Sequence, residues 1–180
     1  MAIKGLVFLM NEKPQGNEDF IVRKKYRYIP KNISTPLKTI IELEIYSSNI
    51  CVVSFYQHNI GNDKTKYKIR SKLGTGHSIG IFKACLEAFY LLDQDYAFIF
   101  CAANDLGKIE EDNSRYSAYK LFLSRYFKDY NNYIQQGSIT LNTLMLYHQS
   151  YQYKNEADLF YNNFEKKVEA NLSDDDSDKT

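Results

Sequence analysis

The 180-residue chain is 44% hydrophobic, enough for one well-buried core and short for two. Its 23 basic and 22 acidic residues leave a formal net charge of +1, so no bulk field recruits nucleic acid or an anionic membrane. No apolar stretch approaches the roughly 20 residues that span a bilayer, and the chain carries no Gly-x-Ser-x-Gly elbow, Walker loop or zinc-spaced Cys/His set.

Taken in chain order, the opening MAIKGLVFLMNEK is too short in apolar residues for a signal peptide. GLVFLM instead reads as a first strand, closed by the turn chemistry of Pro14, Gly16 and Asn17. DFIVRKKYRYI reads as a second strand whose basic side chains form a solvated face. A single-stranded nucleic acid gripped by charge and stacking is the weaker alternative. In LKTIIELEIYS, Leu37, Ile41, Leu43 and Ile45 alternate with Lys38, Glu42 and Glu44, the pattern of a half-buried antiparallel strand with one wet face. NICVVSFYQH follows an SSN turn, and GNDK closes a hairpin into TKYKIRSK, where Tyr67 and Ile69 alternate with Lys66, Lys68 and Arg70.

After RSKLGTGHS the period changes. Ile79, Phe82, Leu86, Phe89 and Tyr90 fall at helical spacing, with Ser78 as candidate N-cap. YAFIFCAA is continuously apolar, as a central strand covered on both faces must be. SRYSAYKLFLSRYFKDY predicts a second helix, with Ala118, Leu121, Phe122 and Arg125 along one side and tyrosines along the other. SITLNTLMLYHQSY gives a last strand, and NEADLFYNNFEKKVEANL a C-terminal amphipathic helix. The expected organisation is one domain over residues 1–153, a C-terminal helix over 154–172, and a disordered acidic tail over 173–180. Strands, helix, strand, helix, strand in that order predict an α+β fold with a mixed, mainly antiparallel sheet.

Sixteen tyrosines, eleven phenylalanines and no tryptophan are an unusual aromatic set. Most belong in a core, while an exposed group of tyrosines would anchor a protein partner. Cys51, Cys85 and Cys101 each sit in an apolar run without metal-ligand spacing, which predicts buried reduced thiols and a cytoplasmic protein.

The order of elements and the residues of two motifs resemble the GNAT superfamily, the acetyl-CoA-dependent N-acetyltransferases, and uncharacterised bacterial GNAT-like families as well. The first motif is the loop with Arg70, Gly74 and Gly76, one residue longer than the usual Arg-x-x-Gly-x-Gly. The second is the helix RYSAYKLFLSRYF, where Ala118, Leu121 and Phe127 are in register but Arg115 replaces Asn, Phe122 replaces Tyr and Tyr126 replaces Gly. The resemblance implies that Gly74, Thr75, Gly76, His77 and Ser78, with Arg70 and Lys72 nearby, cradle the pyrophosphate of acetyl-CoA at a helix N-terminus. Read as residues alone, the same loop is first a tight strand-to-helix turn capped by Ser78, and the order of elements sets the cradle beside that reading. The family's acid falls on Phe122, which has no proton to give, so Tyr119 or Tyr126, a turn away on either side, would substitute, with His58 as candidate base. Two functions follow. One is a non-catalytic GNAT-like protein-interaction module that needs no cofactor: an inhibitor, an antitoxin-like protein or a phage- or defence-associated protein. The other is an acyl-CoA-dependent N-acyltransferase acting on an amine.

Overall fold

The computed structural model describes residues 5–30, 38–61, 65–68, 75–92, 95–103 and 110–177; the side chains of 75–77 and 172–177 lie outside the description. Four strands come first: β1 (Leu6–Glu12), β2 (Val22–Tyr28), β3 (Thr39–Tyr46) and β4 (Ile50–Gln57). Each pairs antiparallel with the next. The turn between β3 and β4 uses Ser48 and Asn49 at φ of 59° and 53°, a left-handed conformation that small polar residues tolerate. Helix α1 (Thr75–Tyr90) then crosses to β5 (Ala97–Cys101), which lies parallel to β4. Helix α2 (Ser114–Tyr126) leads to the hairpin β6 (Tyr133–Ser138) and β7 (Thr143–His148), and α3 (Lys154–Ser177) ends the description. The described strands form one seven-stranded sheet in the order β1-β2-β3-β4-β5-β7-β6. This is a mixed α+β fold, mostly antiparallel and open at both edges. Among the described residues no helix is long and apolar enough to cross a membrane.

Strand alternation gives each sheet face its own core. One face carries Ile41, Leu43, Cys51, Val53, Phe98 and Leu146 against α1 and α2. The other carries Ile50, Ala97, Ile99, Met145 and Tyr147 against Ala157 and Tyr161 of α3. β5 contributes to both, which is why its sequence is apolar without alternation. α1 seats closely because of Gly80: a Cβ there would stand 2.7 Å from the Tyr28 hydroxyl oxygen.

Several expectations change in the structure. Thr65–Lys68 form a turn rather than the strand predicted for TKYKIRSK; residues 69–74 lie outside the described residues. Ser78 is the fourth residue of α1, not its cap, because the helix already includes Thr75. On α2 the buried side is Tyr116, Tyr119, Phe122 and Leu123, whereas Leu121 and Arg125 of the expected apolar side are exposed. Aromatic neighbours on α1 and β5 reward tyrosine bodies more than leucine here. β6, YIQQGS, has no strand signature in its side chains and is held by its register with β7. α3 continues to Ser177, past the expected helix end at 172.

Candidate functional site

The parallel pairing of β4 with β5 runs only from Ile50↔Ala97 to Val53↔Phe100. β4 continues through Ser54–Gln57 on β3 alone, so the two strands part at their C-terminal ends. In open sheets this is where a crevice forms and ligands enter. Three structures fill the neighbourhood of the parting.

The first is Arg115, at the start of α2. Its Nη1 donates to the carbonyls of Tyr67 at 2.8 Å and Ala103 at 2.9 Å, and its Nη2 to the carbonyl of Lys68 at 3.0 Å. Ala103 lies just past β5, while Tyr67 and Lys68 belong to the connection leaving β4. One guanidinium therefore ties the two sides together. A buried polar network positions it: Asn113 caps α2 by accepting from the Tyr116 amide at 2.9 Å, and its Nδ2 donates to the Ala102 carbonyl at 2.8 Å. Asn142 holds the same loop, accepting from the Asn113 amide at 2.8 Å and donating to the Glu110 carbonyl at 2.7 Å.

The second is the 65–68 turn itself, pinned from the opposite face of the sheet. Tyr67 donates its hydroxyl to Glu42 Oε2 at 2.5 Å, and its ring stands edge-on to Tyr56 with centroids 5.4 Å apart. Glu42 is 1% exposed, not the solvated carboxylate its alternation predicts. Its Oε1 accepts from the Tyr56 hydroxyl at 3.2 Å and faces Lys25 Nζ at 3.2 Å. Burial and the adjacent Glu42 charge push the Tyr67 and Tyr56 phenols well above their ordinary range, so both stay protonated donors. Both oxygens of Glu42 are engaged. It works as an anchor for the turn, and accepting a substrate proton would require one of these contacts to break.

Glu44, the next carboxylate on this face, accepts from Arg23 Nε at 2.9 Å and Nη2 at 2.7 Å. Burial works against the Arg23 charge, but the hydrogen bonds to Glu44 and Glu18 outweigh it and raise its affinity for the proton. On this face of β2, Arg23 and Lys25 are accordingly ion-paired and not free.

The third is an aromatic plug on the α1/α2 face. Phe82 meets Tyr119 at 5.0 Å and Phe122 at 5.2 Å, and Phe55 meets Phe82 at 5.9 Å. The cavity left among Phe55, Phe82, Phe100, Tyr119 and Phe122 is about 20 Å³, room for a water or two and not for a thioester arm.

Against this geometry the expected site residues separate. Tyr119 is buried in the plug, its phenol pushed up by burial. Tyr126, the last residue of α2, stands exposed, stacked on Phe122 at 4.8 Å with Lys83 Nζ 4.7 Å above its ring. His58 is exposed beyond the end of β4, its amide donating to the Lys38 carbonyl at 2.8 Å. Arg70, Lys72 and Gly74 lie outside the described residues; Thr75, Gly76 and His77 form the first helical residues of α1, with Ser78 half-buried behind them. His148 meets Ser150 Oγ at 2.6 Å and stands edge-on to Tyr133. Cys51, Cys85 and Cys101 are free thiols, the last half-buried and pushed up to about 11 by burial. Among the described residues no group of His, Cys, Asp or Glu could hold a metal ion.

Sequence reasoning met Arg115 only as a departure from a motif, Glu42 only as a wet-face carboxylate and Lys25 only as part of a solvated basic face, and gave none of them a role at the site. A signal for two of them was present: VRKK and IELE set cations and carboxylates two apart on neighbouring strands. The observed register places Lys25 opposite Glu42 and Arg23 opposite Glu44. Compared with protein-family models, curated proteins and solved structures, the chain matches none.

Proposed function

We propose that the chain is a non-catalytic, GNAT-like protein-interaction module of the inhibitor, antitoxin-like or phage- and defence-associated kind. The observation that supports this reading is the Arg115 guanidinium bonded to carbonyls on both sides of the β4/β5 parting, where a cofactor arm would have to enter. Phe122 at the family's acid position points the same way. Few tyrosines remain exposed to anchor a partner; Tyr90 and Tyr126, the last residues of α1 and α2, are two of them, and Leu91 and Leu121 are exposed as well.

A second reading, an acyl-CoA-dependent N-acyltransferase, is supported by the element sequence β4-α1-β5-α2 with β4 parallel to β5. Isothermal titration with acetyl-CoA separates the two. The interaction reading expects no heat at millimolar ligand and a stoichiometric partner on pull-down. Saturable heat that Gly76→Val abolishes, with acetylation of a peptide or polyamine, would replace it with the enzymatic reading.

A further inference from the structure

The two outer strands of the sheet are unlike. β6 carries Gln135, Gln136 and Gly137, with Ile134 its single large exposed apolar residue. β1 carries four in a row: Val7 at 45%, Phe8 at 50%, Leu9 at 38% and Met10 at 50%. Gly5 accepts from the Ile29 amide at 3.1 Å, so Gly5 and, by alternation, Val7 turn their main-chain groups toward β2. Those of Leu6 and Phe8 then face outward, and no described strand lies beyond them. A bulge between Phe8 and Met10 ends the regular ladder and confines the open edge to Leu6–Phe8. Charge marks the same stretch. Opposite it on β2 stand Tyr28, Arg27 and Tyr26, and Arg27 shares the face of Val7. Among the described residues Arg27 has no ion pair or hydrogen bond, and its Nε is buried without a partner. A buried donor left unmet is costly, so an acceptor brought to it is rewarded. Arg23 and Lys25, on the same face, are already held by Glu12, Glu18, Glu42 and Glu44. Lys4 and Lys13 flank the run in sequence, so the edge carries a surplus of cations.

We propose that β1 is a docking edge for an extended strand of another protein, one that sets a carboxylate opposite Val7 and an apolar residue on either side of it. Outward main-chain groups in a row recognise an extended chain, whose own N–H and C=O groups complete the ladder. The apolar neighbours of the carboxylate fall opposite Leu6 and Phe8, on the face of Tyr26 and Tyr28. The carboxylate itself stands in the row of Val7 and Arg27, two strands or about 10 Å from Arg27. That gap is within the joint reach of a glutamate and an arginine extended toward each other across Val7. A second copy of β1 is the wrong occupant. Its one acid, Glu12, lies past the bulge and is held by Lys25 and Arg23, and lysines flank its run. Three residues of ladder make the docking weak. The edge lies three strands from β4, so it stands whichever reading of the β4/β5 parting is right.

The probe is the end-capped peptide Ser-Thr-Val-Glu-Val-Thr-Ser, titrated into the full chain from roughly 0.05 to 5 mM and followed by amide NMR. It should shift the amides of Leu6, Val7 and Phe8 and slow hydrogen exchange at Leu6 and Phe8, whose N–H groups face outward. The same peptide with Gln in place of Glu should bind about fivefold more weakly. Arg27→Gln should erase that difference and leave the affinity for the Gln peptide unchanged. Phe8→Pro removes an outward N–H without touching the β2 ladder, and should abolish binding of both peptides while the amides of β3 keep their positions. Absence of shifts at Leu6 and Phe8 at the top concentration overturns the proposal. Equal affinity for the two peptides does so too, as does an Arg27→Gln variant that weakens both alike. Sedimentation that finds the wild type pairing through β1, and Val7→Lys remaining a single copy, would assign the edge to a second copy instead.

Discussion

Replacing Arg115 tests the tie across the strand parting directly. Its side chain donates three hydrogen bonds, at 2.8, 2.9 and 3.0 Å, to main-chain carbonyls. A bond involving a charged group contributes about 1.5–3 kcal/mol net. The three share one guanidinium at a partly exposed site, and water recovers some of the carbonyls when it is removed, so the full sum is not lost. Arg115→Ala should cost about 3 kcal/mol, which in a chain of this size lowers the melting temperature by about 6–12 °C. Arg115→Lys, a point donor without the planar fork, should restore only about 1 kcal/mol of that. Urea unfolding followed by circular dichroism gives the global loss. Hydrogen exchange at the Lys68 amide, which donates to the Thr65 carbonyl at 2.9 Å, reports locally and should speed up more than core amides of β3. An Arg115→Ala midpoint within about 0.5 kcal/mol of wild type, or a Lys68 amide that exchanges no faster relative to β3, would refute the account of a clasp between the two sides.

Three further outcomes follow. A double-mutant cycle of Tyr67→Phe with Glu42→Gln should give a coupling of about 1.5 kcal/mol in urea unfolding, because the hydroxyl donates to a buried carboxylate; additive effects would remove Glu42 as the turn's anchor. Burial opposes the Glu12 charge, but Lys25 and then Arg23 hold its carboxyl below the ordinary 4.5. Its stabilisation is thus complete above pH 4.5 and fades as pH falls through the lower folded value. The stability gap between wild type and Glu12→Gln should be flat from pH 7 to 5 and close below 4.5, and a gap that persists at acid pH would contradict the ion pairs. Cys101, pushed up to about 11, is about one part in a thousand thiolate at pH 8. Iodoacetamide should therefore modify it far more slowly at pH 8 than a thiol of ordinary pKa, and labelling of the native protein at the free-thiol rate would show the thiol to be open.

The alternating and continuous apolar runs carried the sheet. TIIELEIY, ICVVSFYQ and AFIFC became β3, β4 and β5, because burial on one or two faces leaves its period in the residues. β6 was hidden because an edge strand with little to bury has no period to read; its place comes from hydrogen bonds to β7. The face of α2 was misjudged because hydropathy ranks Leu121 above Tyr116 and Tyr119, while the rings on α1, β4 and β5 favour flat aromatic bodies. At the site, Glu42 looked wet because alternation reports which face a side chain takes and not what later covers it. The cover is Tyr67, from a segment distant in sequence.

The side of the sheet that faces α3 is held by two different kinds of force. Over β4, β5 and β7 it is roofed by hydrocarbon, with Tyr161 and Ala157 fully enclosed. Over β1, β2 and β3 it is roofed by paired cations and carboxylates centred on Arg23 and Lys25. Ionic strength and acid weaken the second and barely touch the first. The meander end should therefore loosen in high salt or at low pH as a unit of its own, while the helix-covered end keeps its protection until global melting.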